Sequence, residues 1–354
     1  MKKTLKTLCI IAGAIVALPV LFIAFLTVAE YRPEKTEAAV FISQNGGLKP
    51  AQGETLTVVT WNIGYASLDA EQDFFMDGGK RVRPETDSYV KANLAGIRDY
   101  IADAGADAVL IQEADRRSYR SYYVNQAEAL AGSFGGTAAF APNFRCVFVP
   151  FPVPRFIGPV DSGLLTMSRF AAAGAERFAL TVPFKWPVRI ANLKRCLLVE
   201  RIPVEGAGAD LVLVNLHLEA YDDGGGREAQ TRELMELLYR EYRQGNYVIA
   251  GGDFNQNFPD IDEELYALKD TAYFKPGVLS PSDLEPLWRF AFDPLVPTSR
   301  LLNKPYSGDY GDSQLYAIDG FLVSPNVEII DVRTEDAQFR YSDHNPVILK
   351  AALR

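Results

Sequence analysis

The chain has 354 residues, 48% of them hydrophobic and 23% charged, with a formal net charge of −9. That composition is ordinary for a globular protein, and the length serves one large core or two modest ones. The acidic balance argues against a protein that grips a long nucleic acid through a broad basic surface, while leaving room for a small phosphate-bearing substrate held locally by a metal.

Lys2, Lys3 and Lys6 precede Leu8 to Val28, a run without charge. At about 1.5 Å per helical residue it is long enough to cross the roughly 30 Å hydrocarbon layer. Pro19 inside the run is tolerable in a membrane helix. A cleaved signal peptide is the rival; its apolar core is usually about 7–15 residues and ends in a small-x-small site. Thr27-Val28-Ala29 matches that site poorly, and the longer run favours an uncleaved anchor at 1–29 over cleavage and secretion. The lysines would stay cytoplasmic and put the rest of the chain on the extracytoplasmic side.

Residues 30–54 are polar and without period, and read as a tether. Leu56 to Trp61 is rich in β-branched residues and reads as the first strand; Ala66 to Asp87 reads as a loop. Val90, Leu94, Ile97 and Ile101 share one face of a helix over 88–103, with Gly105 as its stop. Asp107 to Ile111 is the next strand, closed by Gln112-Glu113, and a short helix reaches about Ala131. Residues 137–142, 145–149 and 164–167 read as strands. Phe144 to Pro159 sets phenylalanines among prolines at alternate positions, which a sheet interior excludes, and reads as a rigid apolar loop. It could cover the core, form a wall of a substrate pocket, or touch the bilayer. Leu197 to Ile202 and Asp210 to Leu218 read as paired strands, and Arg227 to Tyr242 as a helix. Tyr247 to Ala250 runs as a strand into Gly251-Gly252-Asp253-Phe254-Asn255. Residues 259–305 read mostly as loop and short helix; 315–323, 327–332 and 346–349 read as strands. Strands outnumber long helices throughout 55–354, which favours one α/β sandwich over separate domains.

A polar residue recurs where an apolar strand stops: Asn62, Glu113, His217, Asp253 with Asn255, Asp319, and Asp343 with His344. The only two histidines of the chain are among them. Histidine is the side chain suited to proton exchange near neutral pH, and strand ends gathered at one edge of a sheet make a rigid polar basin. Asp, Glu and Asn oxygens suit a hard cation, Mg2+ first, with Mn2+ or Ca2+ as alternatives; zinc would want more His or Cys. The three cysteines, Cys9, Cys146 and Cys196, are no disulfide framework, and a pairing of Cys146 with Cys196 stays open. No phosphate-binding loop of the Gly-x-x-x-x-Gly-Lys-Ser/Thr type and no Gly-x-Ser-x-Gly elbow is present.

The motifs Thr60-Trp61-Asn62, Ile111-Gln112-Glu113, Ser162-Gly163-Leu164 through Ser168-Arg169, Asn215-Leu216-His217-Leu218, Gly252-Asp253-Phe254-Asn255, Ile318-Asp319-Gly320 and Ser342-Asp343-His344-Asn345-Pro346 follow one another over 55–354. In that order they resemble the endonuclease/exonuclease/phosphatase superfamily, which includes pancreatic-type deoxyribonucleases, abasic-site endonucleases, inositol polyphosphate 5-phosphatases and neutral sphingomyelinases. The resemblance implies a DNase I-like four-layered α/β sandwich of two facing mixed β-sheets flanked by helices, and metal-dependent cleavage of a phosphoester. It implies Glu113 as principal metal ligand, Asn62 as ligand or phosphate-side partner, and Asp343 as second ligand or neighbour of the metal. It further implies that His344 activates or orients water, that Asp319 fixes its ring, that Asp253 and Asn255 position nucleophile and phosphate, and that His217 donates to a phosphoryl oxygen. Two positions depart from the abasic-site nucleases: Gly64 stands where they carry an acid, and Asp161 where they carry a tyrosine. Asp161 could join the metal cluster or cap its strand.

Three substrate classes stay open. A lipid or small phosphodiester fits the anchor and an apolar wall containing Phe148 and Phe151. Nucleic acid would use Arg116 and Arg117 with the neighbouring Arg120, Tyr119, Tyr122 and Tyr123. A phosphomonoester, for example on an inositol ring, would use Lys185, Arg189, Lys194 and Arg195. A membrane-tethered binding module that has lost catalysis is the reading from another class. No motif points to a protein partner.

Overall fold

The computed structural model describes residues 2–222, 225–262, 264–270 and 272–354. Helix α1 (Lys2–Val28) is followed by β1 (Thr36–Ala38), β2 (Val40–Gln44) and β3 (Thr55–Asn62). Helix α2 (Asp87–Asp103) leads to β4 (Ala108–Asp115). Helix α3 (Gln126–Phe134) leads to β5 (Thr137–Val149), β6 (Gly158–Ser168), β7 (Gly174–Ala179), β8 (Cys196–Pro203) and β9 (Asp210–His217). Helix α4 (Gly225–Arg243) precedes β10 (Tyr247–Asp253). Short strands β11 (Gln256–Asn257), β12 (Gly277–Val278), β13 (Arg289–Ala291), β14 (Ser299–Arg300) and β15 (Leu315–Tyr316) precede β16 (Asp319–Val323), β17 (Val327–Thr334) and β18 (Val347–Leu353).

One seven-stranded sheet has the order β17-β18-β3-β4-β6-β5-β2, the other β1-β7-β8-β9-β10-β16-β13. Each contains one parallel pair, β3 with β4 and β9 with β10, among antiparallel ones, so both are mixed. Period-two alternation sorts the side chains. Leu56 and Val58 of β3 meet Leu211 and Leu213 of β9 and Ile249 of β10 between the sheets. Val59 and Trp61 face the other way, onto Val90, Leu94 and Ile97 of α2 and Leu130 of α3. On the far side, Leu234, Leu237 and Leu238 of α4 cover Val212, Val214, Val248 and Ala250. The layers are therefore helix, sheet, sheet, helix, as the DNase I-like resemblance implies.

Helix α2 begins where Thr86 accepts a hydrogen bond from the Tyr89 amide at 3.3 Å, and it stops before Gly105, whose φ is +59°. The stop is the one read from the sequence, and the Thr86 cap sets the start one residue before the expected Ser88. Residues 36–44, by contrast, are not tether: β1 pairs with β7 and β2 with β5, so they form an edge of each sheet. Two strands of three and five residues are too short to carry a periodic signal, and only the partner strand reveals them. Likewise Phe144 and Phe148 belong to β5, one strand rather than two, which is bulged after Pro142 and again after Cys146. The apolar loop shrinks to 150–157. Cys146 and Cys196 are buried free thiols.

Glu200 of β8 is buried between the sheets. It accepts a 2.6 Å hydrogen bond from Ser168 Oγ, and its Oε2 has no partner among the described residues. Burial pushes its carboxyl from 4.5 up to about 7. Above pH 4.5 the unfolded chain gives up this proton while the folded chain keeps it. Stability is thus fully present below that pH and is lost as pH rises towards 7, by about 1.4 kcal/mol per unit. Glu200→Gln should match the parent at pH 4 and exceed it by roughly 1–3 kcal/mol at pH 8, read by urea unfolding. The same pH dependence in both proteins would refute the assignment.

Candidate active site

The strand register builds the site. Asp253 at the end of β10 is paired with His217 of β9 on one side and with Asp319 of β16 on the other. All three lie on the sheet face that Leu213, Ile249 and Phe321 present to the opposite sheet, so they form a row at its edge. A Cβ on Gly252 would lie 1.9 Å from the Leu216 carbonyl oxygen, so glycine alone lets the two strands approach. Asn62 ends β3 on the inward face, continuing Val58 and Thr60. Glu113 would point outward by simple alternation. A bulge between Ile111 and Ala114, with φ of +57° at Glu113, redirects it into the basin. Beneath the basin, Gln112 Nε2 donates to Asn215 Oδ1 at 2.8 Å, and Asn215 Nδ2 donates to the Ile111 and Leu165 carbonyls. This polar strut ties the sheets together just below the reactive groups.

His344 lies on the segment before β18. Trp61 Nε1 donates to its carbonyl at 2.8 Å, and its amide donates to Ser342 Oγ. Its Nδ1–H donates to Asp319 Oδ2 at 2.8 Å. The other ring nitrogen, Nε2, is 3.9 Å from both Asp253 Oδ2 and Asp343 Oδ2, and 3.3 Å from Ser299 Oγ. Burial opposes a charge on this ring, yet Asp319, Asp343 and Asp253 together raise its pKa to about 10. His217 differs: burial first, then the nearby Arg195, push its pKa well below the usual value, so it is neutral. Its Nε2 lies 3.3 Å from Asp253 Oδ2, and its Nδ1 has no partner among the described residues.

Asn62 Nδ2 donates to Asp253 at 3.1 Å and to Glu113 at 3.3 Å, drawing the two carboxylates together. Asn255 donates from Nδ2 to the Leu218 carbonyl and from its backbone to Asp253 Oδ1. Burial raises the carboxyl of Asp253, with Asp319 adding to it. It likewise raises that of Asp343 to about 7, opposed by His344 and reinforced by Glu113. These carboxylates are crowded and desolvated, a charge state that a divalent cation relieves. Asp253, Asp319 and His344 offer ligand atoms within 4.8 Å of one another, a candidate metal-binding triad. Asp319 Oδ1 is buried and, among the described residues, without a partner. The donors that the basin offers are carboxylate oxygens and an imidazole nitrogen, since Asn62 turns its Nδ2 inward and its Oδ1 to the Gly64 amide; the carboxylate-rich set fits a hard divalent cation.

Asn62, Glu113, His217, Asp253, Asn255, Asp343 and His344 line one cavity of about 680 Å³. Phe151 lines it too, whereas Phe148 does not and instead packs on Phe22 and Phe156. Arg116 and Asp161 hold each other at 2.9 Å, and neither they nor Arg117 line the cavity. Gly64 has φ of +47°, and a Cβ there would lie 2.7 Å from Asp343 Oδ1, which leaves no room for an acid. Arg120, Arg195 and Arg300 line the cavity as well. Of the cations Lys185, Arg189, Lys194 and Arg195, only Arg195 lines the cavity, while Arg300 carries no strand-end or motif signal, since nothing in the sequence separates a buried arginine that ties up carbonyls from a solvated one.

A rigid basin of carboxylates and histidines at the strand ends of an α/β sandwich, backed by arginines, defines a metal-dependent phosphoric ester hydrolase. The profile of the Endonuclease/Exonuclease/phosphatase family matches residues 59–344, and the chain belongs to that family. An endonuclease/exonuclease/phosphatase from Beutenbergia cavernae shares the fold at TM-score 0.57 and 19% identity, over 84% of this chain and 72% of that one. A family protein from Leptotrichia buccalis aligns at TM-score 0.55 and 15% identity, over 84% of this chain and 100% of its own. The human Nocturnin catalytic domain, solved with a bound sulfate anion, aligns at 0.52 and 17%, over 89% and 98%. At these identities the likeness is one of fold. No curated protein matches the sequence.

Proposed function

We propose that this chain hydrolyses a phosphodiester outside the membrane, by in-line attack of a water that His344 activates. The observation that carries the reading is the 2.8 Å bond from His344 to Asp319, which leaves Nε2 facing the cavity between Asp253 and Asp343. Glu113 and Asp343 would hold Mg2+, or Mn2+ or Ca2+ in its place, and Asn62, whose Nδ2 faces the basin, would partner the phosphate; when bound, the ion neutralises charge on the phosphoryl oxygens. In the reaction a water oxygen bonds to phosphorus, the bond from phosphorus to the leaving oxygen breaks, His344 Nε2 takes one water proton, and the leaving alkoxide takes a proton from solvent. The products are a phosphomonoester and an alcohol. Asp319 keeps the ring oriented with Nε2 towards the cavity; the carboxylates that hold its pKa at about 10 in the metal-free chain would be neutralised by the cation, which brings that pKa down and frees Nε2 to accept a proton. Asp253 and Asn255 position the water and the phosphate, and neutral His217 donates to a phosphoryl oxygen. Arg120 and Arg195 add positive charge for the anion.

Residues 1–29 act as anchor or as signal segment; helix α1 is long and apolar enough for either. The catalytic unit runs from Thr36 to the last residue, because β1 and β2 complete its sheets. Nucleic acid is the less favoured substrate. Arg83 already stacks on Tyr119 and Tyr122, at 4.1 and 4.7 Å, and Arg116 is spent on Asp161, so the candidate platform for bases is occupied from within.

The test is hydrolysis of bis-p-nitrophenyl phosphate and p-nitrophenyl phosphate by the metal-stripped full chain, with and without Mg2+, Mn2+ or Ca2+. Metal-dependent turnover that prefers the diester and is lost in His344→Ala is the expected result. Preference for the monoester would move the activity to a phosphatase. A lack of turnover on small, lipid and nucleic acid esters, together with no metal binding, would leave a binding module.

A further inference from the structure

The cavity that holds the catalytic groups does not end in polar surface. Its outer part is lined by Phe151, Ile157, Val188 and Ile190, and by two residues of α1, Ile23 and Leu26. Leu26 is 4% exposed, while Phe25 beside it is 58% and Val28 89% exposed. The last turns of α1 are therefore docked, and the rest of the helix stands free. Polar contacts fix the docking. Trp186 Nε1 donates to Thr27 Oγ1 at 3.1 Å. Glu30, just beyond the helix, is gripped by Arg189 at 3.0 Å and Lys194 at 3.4 Å, and its own carboxylate is almost wholly buried. Around the mouth, Phe151, Val153, Trp186 and Val188 are all more than half exposed. Large exposed apolar side chains beside a helix fit for a bilayer mark a surface that meets lipid.

We propose that the end of α1 is a wall of the substrate cavity, and that the substrate is a phosphodiester lipid drawn from the bilayer. Its acyl chains lie along Ile23, Leu26 and Val188, and its phosphate sits beside Glu113 and His344. This rests on the phosphodiesterase reading above and keeps its stoichiometry: lipid diester and water give a phosphomonoester and an alcohol. The helix is then part of substrate recognition. An apolar slot continuous with the reactive basin, walled by the element that enters the bilayer, suits an amphiphile; a polynucleotide would have to lay its charged backbone across that apolar rim.

The experiment uses the full chain reconstituted in phosphatidylcholine and phosphatidylglycerol vesicles. Lipid phosphodiester cleavage is measured beside cleavage of bis-p-nitrophenyl phosphate, and a phospholipid with a photoreactive acyl chain is cross-linked in parallel. The expected result is cleavage of vesicle lipid and labelling of residues 22–26 and 184–193. In Ile23→Trp and Val188→Trp, each partly exposed and able to take a larger ring, the ratio of lipid to soluble-diester turnover should fall about 10–100-fold. Cleavage of the soluble diester with vesicle lipid left intact overturns this inference and spares the phosphodiesterase reading. An unchanged ratio in both variants also overturns it. Labelling without any diester cleavage sinks the catalytic reading and leaves the lipid slot standing.

Discussion

Asp319→Asn is expected to lower kcat on a soluble phosphodiester by about 10³–10⁴-fold with little change in KM. The reason lies in one hydrogen bond. Asp319 Oδ2 accepts the Nδ1–H of His344, and that choice of tautomer leaves Nε2 as the atom that faces the cavity. An asparagine can present its amide N–H to Nδ1 instead. The ring then carries its proton on Nε2, where a lone pair is needed to take the proton of water. The carboxylate has a second effect: it is the first group that raises the His344 pKa, against the burial that lowers it, to about 10. The variant should therefore show a His344 pKa shifted down, read by NMR titration of the metal-free protein, with the amide spectrum of the folded parent retained. Combining Asp319→Asn with His344→Ala should cost no more than His344→Ala alone, since the two act as a unit. A kcat within threefold of the parent would sink the proposed role of the pair.

Much of this site could be read from the sequence because strands alternate. Val58, Thr60 and Asn62 share one face of β3. The same parity carries Leu213, Asn215 and His217 on β9. An apolar run that ends in a polar residue on the core-facing parity puts that residue at the rim between the sheets. What parity cannot supply is register. That His217, Asp253 and Asp319 stand in one row depends on how three distant strands pair. Parity also misleads at Glu113, where a bulge reverses the direction of the side chain. Residues 36–44 were lost for a related reason, since short edge strands are defined by their partners and not by their own pattern. The wall contributed by α1 was illegible as well. An apolar helix has no marked face, so nothing in its sequence shows that Leu26 is buried and Phe25 is not. The contact is dictated by Trp186, Arg189 and Lys194, over 150 residues away in the chain.

Glu113→Gln is expected to weaken Mg2+ binding by about 100-fold or more and to abolish diester cleavage at Mg2+ concentrations that saturate the parent. Glu113 is the carboxylate most open to the cavity, its side chain 25% exposed while that of Asp253 is 2%. It is also the one whose backbone is bent to reach the site, with φ of +57° in the bulge of β4. A positive φ in a residue other than glycine costs free energy, and a fold keeps it where the side chain is needed in that place. Gln keeps the shape and the bond from Asn62 and loses the charge. The charge matters because Asp253, Asp319 and Asp343 crowd the same space, and a divalent cation offsets their mutual repulsion best when every carboxylate can ionise. Thermal unfolding gives a readout independent of turnover. Binding at about 100 times Kd adds about 2.7 kcal/mol to the parent, so its Tm should climb with Mg2+ while that of Glu113→Gln stays flat over the same range. Without metal the variant should be no less stable than the parent, since it removes a like charge from beside Asp343. Equal Mg2+ dependence of Tm in the two proteins would remove Glu113 from the metal site and leave Asp253, Asp319 and His344 as the set that holds the ion.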